Sequence, residues 1–137
     1  MHWLLIVFLA FDLAAIKSEP NLERRSERAL DNANTALDTA RDAYSAADLP
    51  KAQAAVEEAG DSVELAYQSL EETGKDARRN PGPFKRAEVR TRELLRRLEG
   101  LRESFSVTDR PPVDKVLDRV ADIHDDLLKA IMGKKRK

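Results

Sequence analysis

His124 and the carboxylates around it, Asp122, Asp125 and Asp126, are the nearest approach in this chain to a set that could do acid–base or metal chemistry. Histidine changes protonation near neutral pH and ligates metals through its neutral ring. A base still needs a nucleophile or a second titrating partner, and His124 is the only histidine after His2. It falls at helical spacing between Val120 and Leu127, the position of a histidine packed at a core edge. Di-iron bundles use a Glu three residues before each liganding His; here that residue is Ala121. Aspartates crowded on one turn read as a solvated helix face. With no cysteine there is no thiolate, disulfide or lipid-anchor chemistry. Gly74 and Gly82 are isolated and lack the Lys-Ser/Thr pair of a phosphate loop. The sequence predicts no enzymatic activity, no metal and no cofactor.

A second chemistry is the binding of polyanions. Residues 75–102 carry ten basic side chains against four acidic, whereas residues 42–72 carry eight acidic against Lys51 alone. Clustered arginines can follow a phosphate backbone, and Arg86, Arg90 and Arg97 are the candidates, together with the terminal Lys134, Lys135, Arg136 and Lys137. Against nucleic acid, Glu88, Glu93 and Glu99 interrupt the set and no aromatic is interleaved for base stacking. The basic stretch follows the acidic one directly, so the expectation is that these two helices lie side by side and neutralise each other. The terminal cations complement a helix C-terminus and offer weak contact with an anionic surface.

Residues 1–16 are apolar apart from His2 and Asp12. A helix from Trp3 to Ile16 is about 21 Å long, short of the roughly 30 Å hydrocarbon core of a bilayer. An apolar run of this length, followed by small residues and then a charged chain, reads as a secretory signal covering residues 1–18. It departs from the pattern in lacking a basic start and an Ala-x-Ala triplet, with Leu13-Ala14-Ala15 the nearest match. Cleavage after residue 15 or 18 is expected, giving a periplasmic or secreted domain over residues 19–133 and a basic tail over 134–137. Uncleaved, the segment is either an anchor, the chain's only route to a membrane apart from that tail, or a buried helix of the domain itself.

The charged fraction is 36% and the aromatic fraction 5%, with five glycines, which is the composition of helical bundles. Four periodic stretches follow. Ser26, Leu30, Ala33, Leu37, Ala40, Tyr44 and Ala47 are spaced alternately four and three, as are Ala52, Val56, Ala59, Val63, Ala66, Leu70 and Thr73. Pro50 separates them, with Asp48 as a cap. Gly60 is placed off the seam. Asn80-Pro81-Gly82-Pro83 is the strongest break, and is read as excluded from any helix. Phe84, Ala87, Thr91, Leu94, Leu98, Leu101 and Phe105 then form a third stripe. Val113, Val116, Leu117, Val120, Ile123, Leu127, Leu128 and Ile131 form a fourth, beyond a cap at Thr108 or Asp109 and the prolines 111 and 112. The first helix is expected to start at Ser18-Glu19-Pro20. No stretch alternates as a strand does.

The fold class predicted is all-α: an antiparallel, up-down-up-down four-helix bundle or two packed helical hairpins. Residues 37–59 resemble a single tetratricopeptide repeat at Ala40, Tyr44, Ala52, Val56 and Ala59, but the repeat's closing proline and any 34-residue recurrence are missing. The resemblance therefore implies only a tight helical hairpin. The expected function is that of an exported, non-enzymatic protein-interaction or structural module, with protein contact or self-association through its helical seams. The alternative is a polyanion- or nucleic-acid-binding bundle using the third helix and the tail.

Overall fold

In the computed structural model, which describes residues 12–133, four long helices pack against one another: α1 Leu22–Ser45, α2 Leu49–Glu72, α3 Pro81–Ser104 and α4 Pro111–Met132. A short helical segment, residues 12–17, precedes them. Of the expected signal, residues 1–11 lie outside the described part, as does the tail 134–137.

The start of α1 is fixed by Asn21, whose Oδ1 accepts from the Arg24 amide at 3.0 Å, and not by Ser18. Ser18 instead closes the preceding turn, its hydroxyl donating to the Ala15 carbonyl at 2.6 Å. At the other end the amides of Ala47 and Asp48 reach back to the carbonyls of Tyr44 and Ala43, with Ala47 left-handed at φ 61°. These paired backward bonds are a Schellman closure, usually built on glycine. Asp48 then accepts from the Lys51 amide and caps α2, so one residue ends one helix and starts the next. The result is a turn too short for anything but an antiparallel hairpin.

Small residues let that hairpin close tightly. Besides the expected seam, α1 buries Ala29, Ala36 and Ala43, and α2 buries Ala55, Ser62 and Ser69. Ser62 and Ser69 return their hydroxyl protons to the carbonyls of Glu58 and Leu65, so neither polar group is stranded.

Helix α2 ends at Thr73 and Gly74, the latter at φ 69°. The expectation for the next break is corrected: Pro81, Gly82 and Pro83 form the first turn of α3, where missing N–H groups leave no intrahelical bond unmade. Before α4, residues Val107–Asp109 form a 3₁₀ turn and Arg110 takes the cap position, in place of the expected Thr108 or Asp109 cap. Asp109 is engaged elsewhere, accepting from the Tyr44 hydroxyl at 2.9 Å, while the same phenol oxygen accepts from the Ser106 amide. The Tyr44 ring stacks on Phe105 with centroids 3.8 Å apart.

The order of helices around the bundle is α1, α2, α4, α3. Helix α1 packs on α2 and α3, and α4 packs on α3 and α2, with α2 and α3 across the diagonal. The expected side-by-side placement of α2 and α3 is thereby corrected. Residues 73–80 carry the chain across that diagonal at one end, burying Ala77 and laying the Arg78 side chain against Gly133 at the end of α4. Gly60 lies off that seam, as expected, but it is buried on a second face, where a Cβ would lie 3.0 Å from Val116 Cγ1 on α4. Helix α2 therefore buries two faces, one on α1 and one on α4.

Candidate functional site

The three arginines singled out in α3 are brought onto one line, facing α1. Arg86 Nε lies 3.6 Å from Glu27, Arg90 donates to Asp31 at 2.5 Å, and Arg97 donates to Asp38 at 2.7 Å. Arg97 also donates to the Asn34 side chain and carbonyl, and Arg90 to the Glu27 carbonyl. Each ion pair joins residues 59 apart in the chain, so positions rise together along both helices. The two helices run parallel. The face expected to present positive charge is thus met by carboxylates of the same chain, supplied by α1 and not by the acidic α2. Lys134, Lys135, Arg136 and Lys137 lie outside the described residues.

The acids of α2 have other partners. Arg119 of α4 donates to Asp61 at 2.7 Å and to Glu64 at 3.1 Å, with Glu57 3.6 Å away. Glu72 takes a bond from Arg25 at the start of α1.

His124 sits half-buried on α4, its Nε2 2.8 Å from the Glu88 carboxylate of α3. A carboxylate only accepts, so Nε2 carries the proton. Arg92, one turn along, also reaches Glu88. The group is a cross-helix tie, and Asp122 and Asp125 do not converge on it. Among the described residues no three His, Asp or Glu side chains are arranged to hold a metal.

Sequence reasoning missed the groove between α1 and α2. Residues 12–17 lie in it with Leu13 and Ile16 only 7% and 5% exposed. Asp12, Ala15 and Ile16 border one surface hollow together with Arg28, Asp31, Asn32 and Thr35 of α1, and Lys17 borders another together with Leu65, Gln68, Glu71 and Glu72 of α2. The segment runs opposite to α1 and is fastened at its end by Glu19, whose carboxylate accepts from the Asn21 amide and from Arg28 and whose carbonyl accepts from Arg25. Burying two such side chains is worth about 1.5–3 kcal/mol each.

The groove floor is polar. The Asn32 amide donates to both Glu58 Oε2 and Ser62 Oγ at 2.9 Å. Glu58 is 8% exposed, and burial raises its pKa above the ordinary 4.5; the Asn32 bond opposes that shift and Asp12 adds to it, while Lys17 lowers it. The seam expected from the sequence does not include Glu58; the signal available was its 3-4 spacing with Ala55, Ser62, Leu65 and Ser69, a second buried row on the same helix.

No family model matches the chain, and no curated protein is significantly similar to it. No helix among the described residues is long and apolar enough to cross a membrane.

Proposed function

We propose that this protein is an exported, non-enzymatic helical bundle that acts as a protein-interaction or structural module. The observation that carries this reading over polyanion binding is the ladder Arg86–Glu27, Arg90–Asp31 and Arg97–Asp38. An arginine held by a carboxylate must break that pair before it can take a phosphate, and each contact then loses part of its favourable counterion release. Export rests on the apolar residues 1–16 and the charged chain behind them.

Two measurements test the reading. Titrated at physiological salt with duplex and single-stranded nucleic acid, the full chain should show no tight binding. Tight binding that disappears in the triple variant Arg86→Glu, Arg90→Glu, Arg97→Glu, with folding unchanged, would replace this reading by the polyanion one. Cell fractionation with intact-mass measurement should find the protein outside the cytoplasm and shortened by 15 to 18 residues, that is, beginning at Ile16 or Glu19. Full-length protein in the cytoplasm would remove the export part.

A further inference from the structure

We propose that the outer face of α3 and α4 binds the same face of a second copy of this chain, giving a symmetric dimer whose two-fold axis runs along the helices. The inference deepens the interaction reading above and rests on it. On the opposite side of the bundle, residues 12–17 cover α1 and α2 and bury Leu13 and Ile16 there. Among the described residues nothing covers α3 and α4 in the same way.

Of the three large apolar side chains that stand exposed among the described residues, two are on this face: Val89 of α3, 43% exposed, and Met132 of α4, 60% exposed. Half-buried Leu95, Leu117, Ala121 and Leu128 line the seam between the two helices. Scattered apolar side chains are ordinary on a surface, so the charges decide what the face fits. Glu88 meets His124 and Arg102 meets Asp114 across the antiparallel pair, which sets the heights: Arg96 is level with Asp118, and Glu99 with Lys115. All four are exposed, and none is bonded to another described residue. Glu99 and Asp118 border one hollow together with Leu117.

A two-fold axis parallel to the helices leaves every height unchanged and lays α3 of one copy over α4 of the other. Arg96 then faces Asp118 of the second copy, Glu99 faces Lys115, and the symmetry makes each pair twice. Val89 comes level with Asp125, against Ala121 and Leu128 on either side of it. Lys85 comes level with Lys129, whose charge Asp125 already balances at 3.0 Å. Helices of 24 and 22 residues set about 9 Å apart present a face of about 600 Å² per copy. The dimer buries about 1,200 Å² in total, the lower end of specific, stable interfaces. An axis across the helices instead sets α3 antiparallel on its own copy, where Arg96 meets Glu99 only if the copies overlap over little more than half of α3.

Sedimentation velocity of the full chain over a concentration series is the test. The native chain should dimerise, and added salt should weaken the dimer by screening its ion pairs. Arg96→Glu sets carboxylate against carboxylate, and Asp118→Arg sets guanidinium against guanidinium. Each should weaken dimerisation about tenfold or more. Each should also leave the helical circular dichroism unchanged, because neither native side chain makes a bond within the described chain. An equimolar mixture of the two variants should dimerise again, since one chain supplies both carboxylates and the other both guanidiniums. A native chain still monomeric at about 1 mM overturns the proposal. So do single variants that dimerise like the native chain, or a mixture that stays monomeric. A monomeric native chain leaves the interaction-module reading standing, and the nucleic-acid titration and fractionation above test that reading independently.

Discussion

Arg97 on α3 donates to Asp38 on α1 at 2.7 Å, and the same 59-residue offset recurs at Arg90–Asp31 and Arg86–Glu27. Matching intervals of four and seven on two helices bring charges together in register only when the helices run the same way. The pairs therefore specify both the partner of α3 and its direction.

Reversing Arg86, Arg90 and Arg97 to Glu places three like-charge contacts where three ion pairs stood. Exposed pairs contribute about 0–1 kcal/mol each, so the triple variant should lose roughly 1–3 kcal/mol. Added salt should restore part of that loss by screening. Restoring opposite charge with Glu27→Lys, Asp31→Lys and Asp38→Lys in the same chain should recover the melting temperature. An unchanged melting curve at low salt would show that the ladder contributes nothing to the fold.

Gly60 and Gly100 both lie inside helices, yet substitution should move stability in opposite directions. Alanine in place of glycine in a helix gains about 0.5–1 kcal/mol where space is free. At Gly100 nothing lies within 4 Å of a new Cβ, so Gly100→Ala should stabilise by that amount. At Gly60 the Cβ would sit 3.0 Å from Val116 Cγ1 and from Arg119 Nη1, the first fully packed and the second held by Asp61 and Glu64. Gly60→Ala should therefore cost about 1 kcal/mol or more by overpacking. Urea unfolding of the two variants decides it, and a gain at both positions would mean that α2 and α4 approach less closely than described.

Ala47 adopts φ 61° between α1 and α2, a region where a Cβ costs about 1 kcal/mol. Ala47→Gly should raise stability by about that much, less what glycine loses in the unfolded chain. Destabilisation, measured by thermal unfolding, would mean that the left-handed turn is not the native one.

Much of the core was legible in the sequence, and the reasons for the exceptions are physical. Leu30, Leu37, Val56, Val63, Leu94, Leu98, Val113 and Val120 stand at heptad spacing and are buried. Ala29, Ala36 and Ala43 are equally buried, but alanine suits exposed and buried helix faces alike, so its row carries no signal of its own. Gly60 reads as a weakness in a helix until a second neighbour comes close. The prolines at 81 and 83 read as a break, yet they form the first turn of α3, and α2 has already ended at Thr73 and Gly74. For the charged face, the intervals joining Glu27, Asp31 and Asp38 to Arg86, Arg90 and Arg97 were present in the chain, but adjacency in sequence pointed to α2 instead. Four-helix order is set by the diagonal path of residues 73–80, and no local pattern encodes that path. The groove escaped notice because its occupant, Leu13 to Lys17, reads first as a segment to be removed and only second as a buried helix of the domain, the reading that the burial of Leu13 and Ile16 favours.

Glu58 gives the domain a pH dependence whose sign follows from its burial. The folded chain holds the carboxyl proton more tightly than the unfolded chain, whose carboxyl titrates near the ordinary 4.5. This group therefore favours the folded state most at and below that value, and the advantage is lost as pH rises through the folded value and a buried charge forms. Glu58→Gln keeps an oxygen to accept from Asn32 and removes the charge. The variant should match or exceed the native protein in stability at neutral pH, and the gap between them should shrink as pH falls toward 4.5. Chemical unfolding at a series of pH values measures that gap. A Gln variant whose deficit grows toward neutral pH would mean that the ionised carboxylate stabilises the α1–α2 floor, and the burial of its charge would then have to be offset by Lys17, the cation that lowers its pKa.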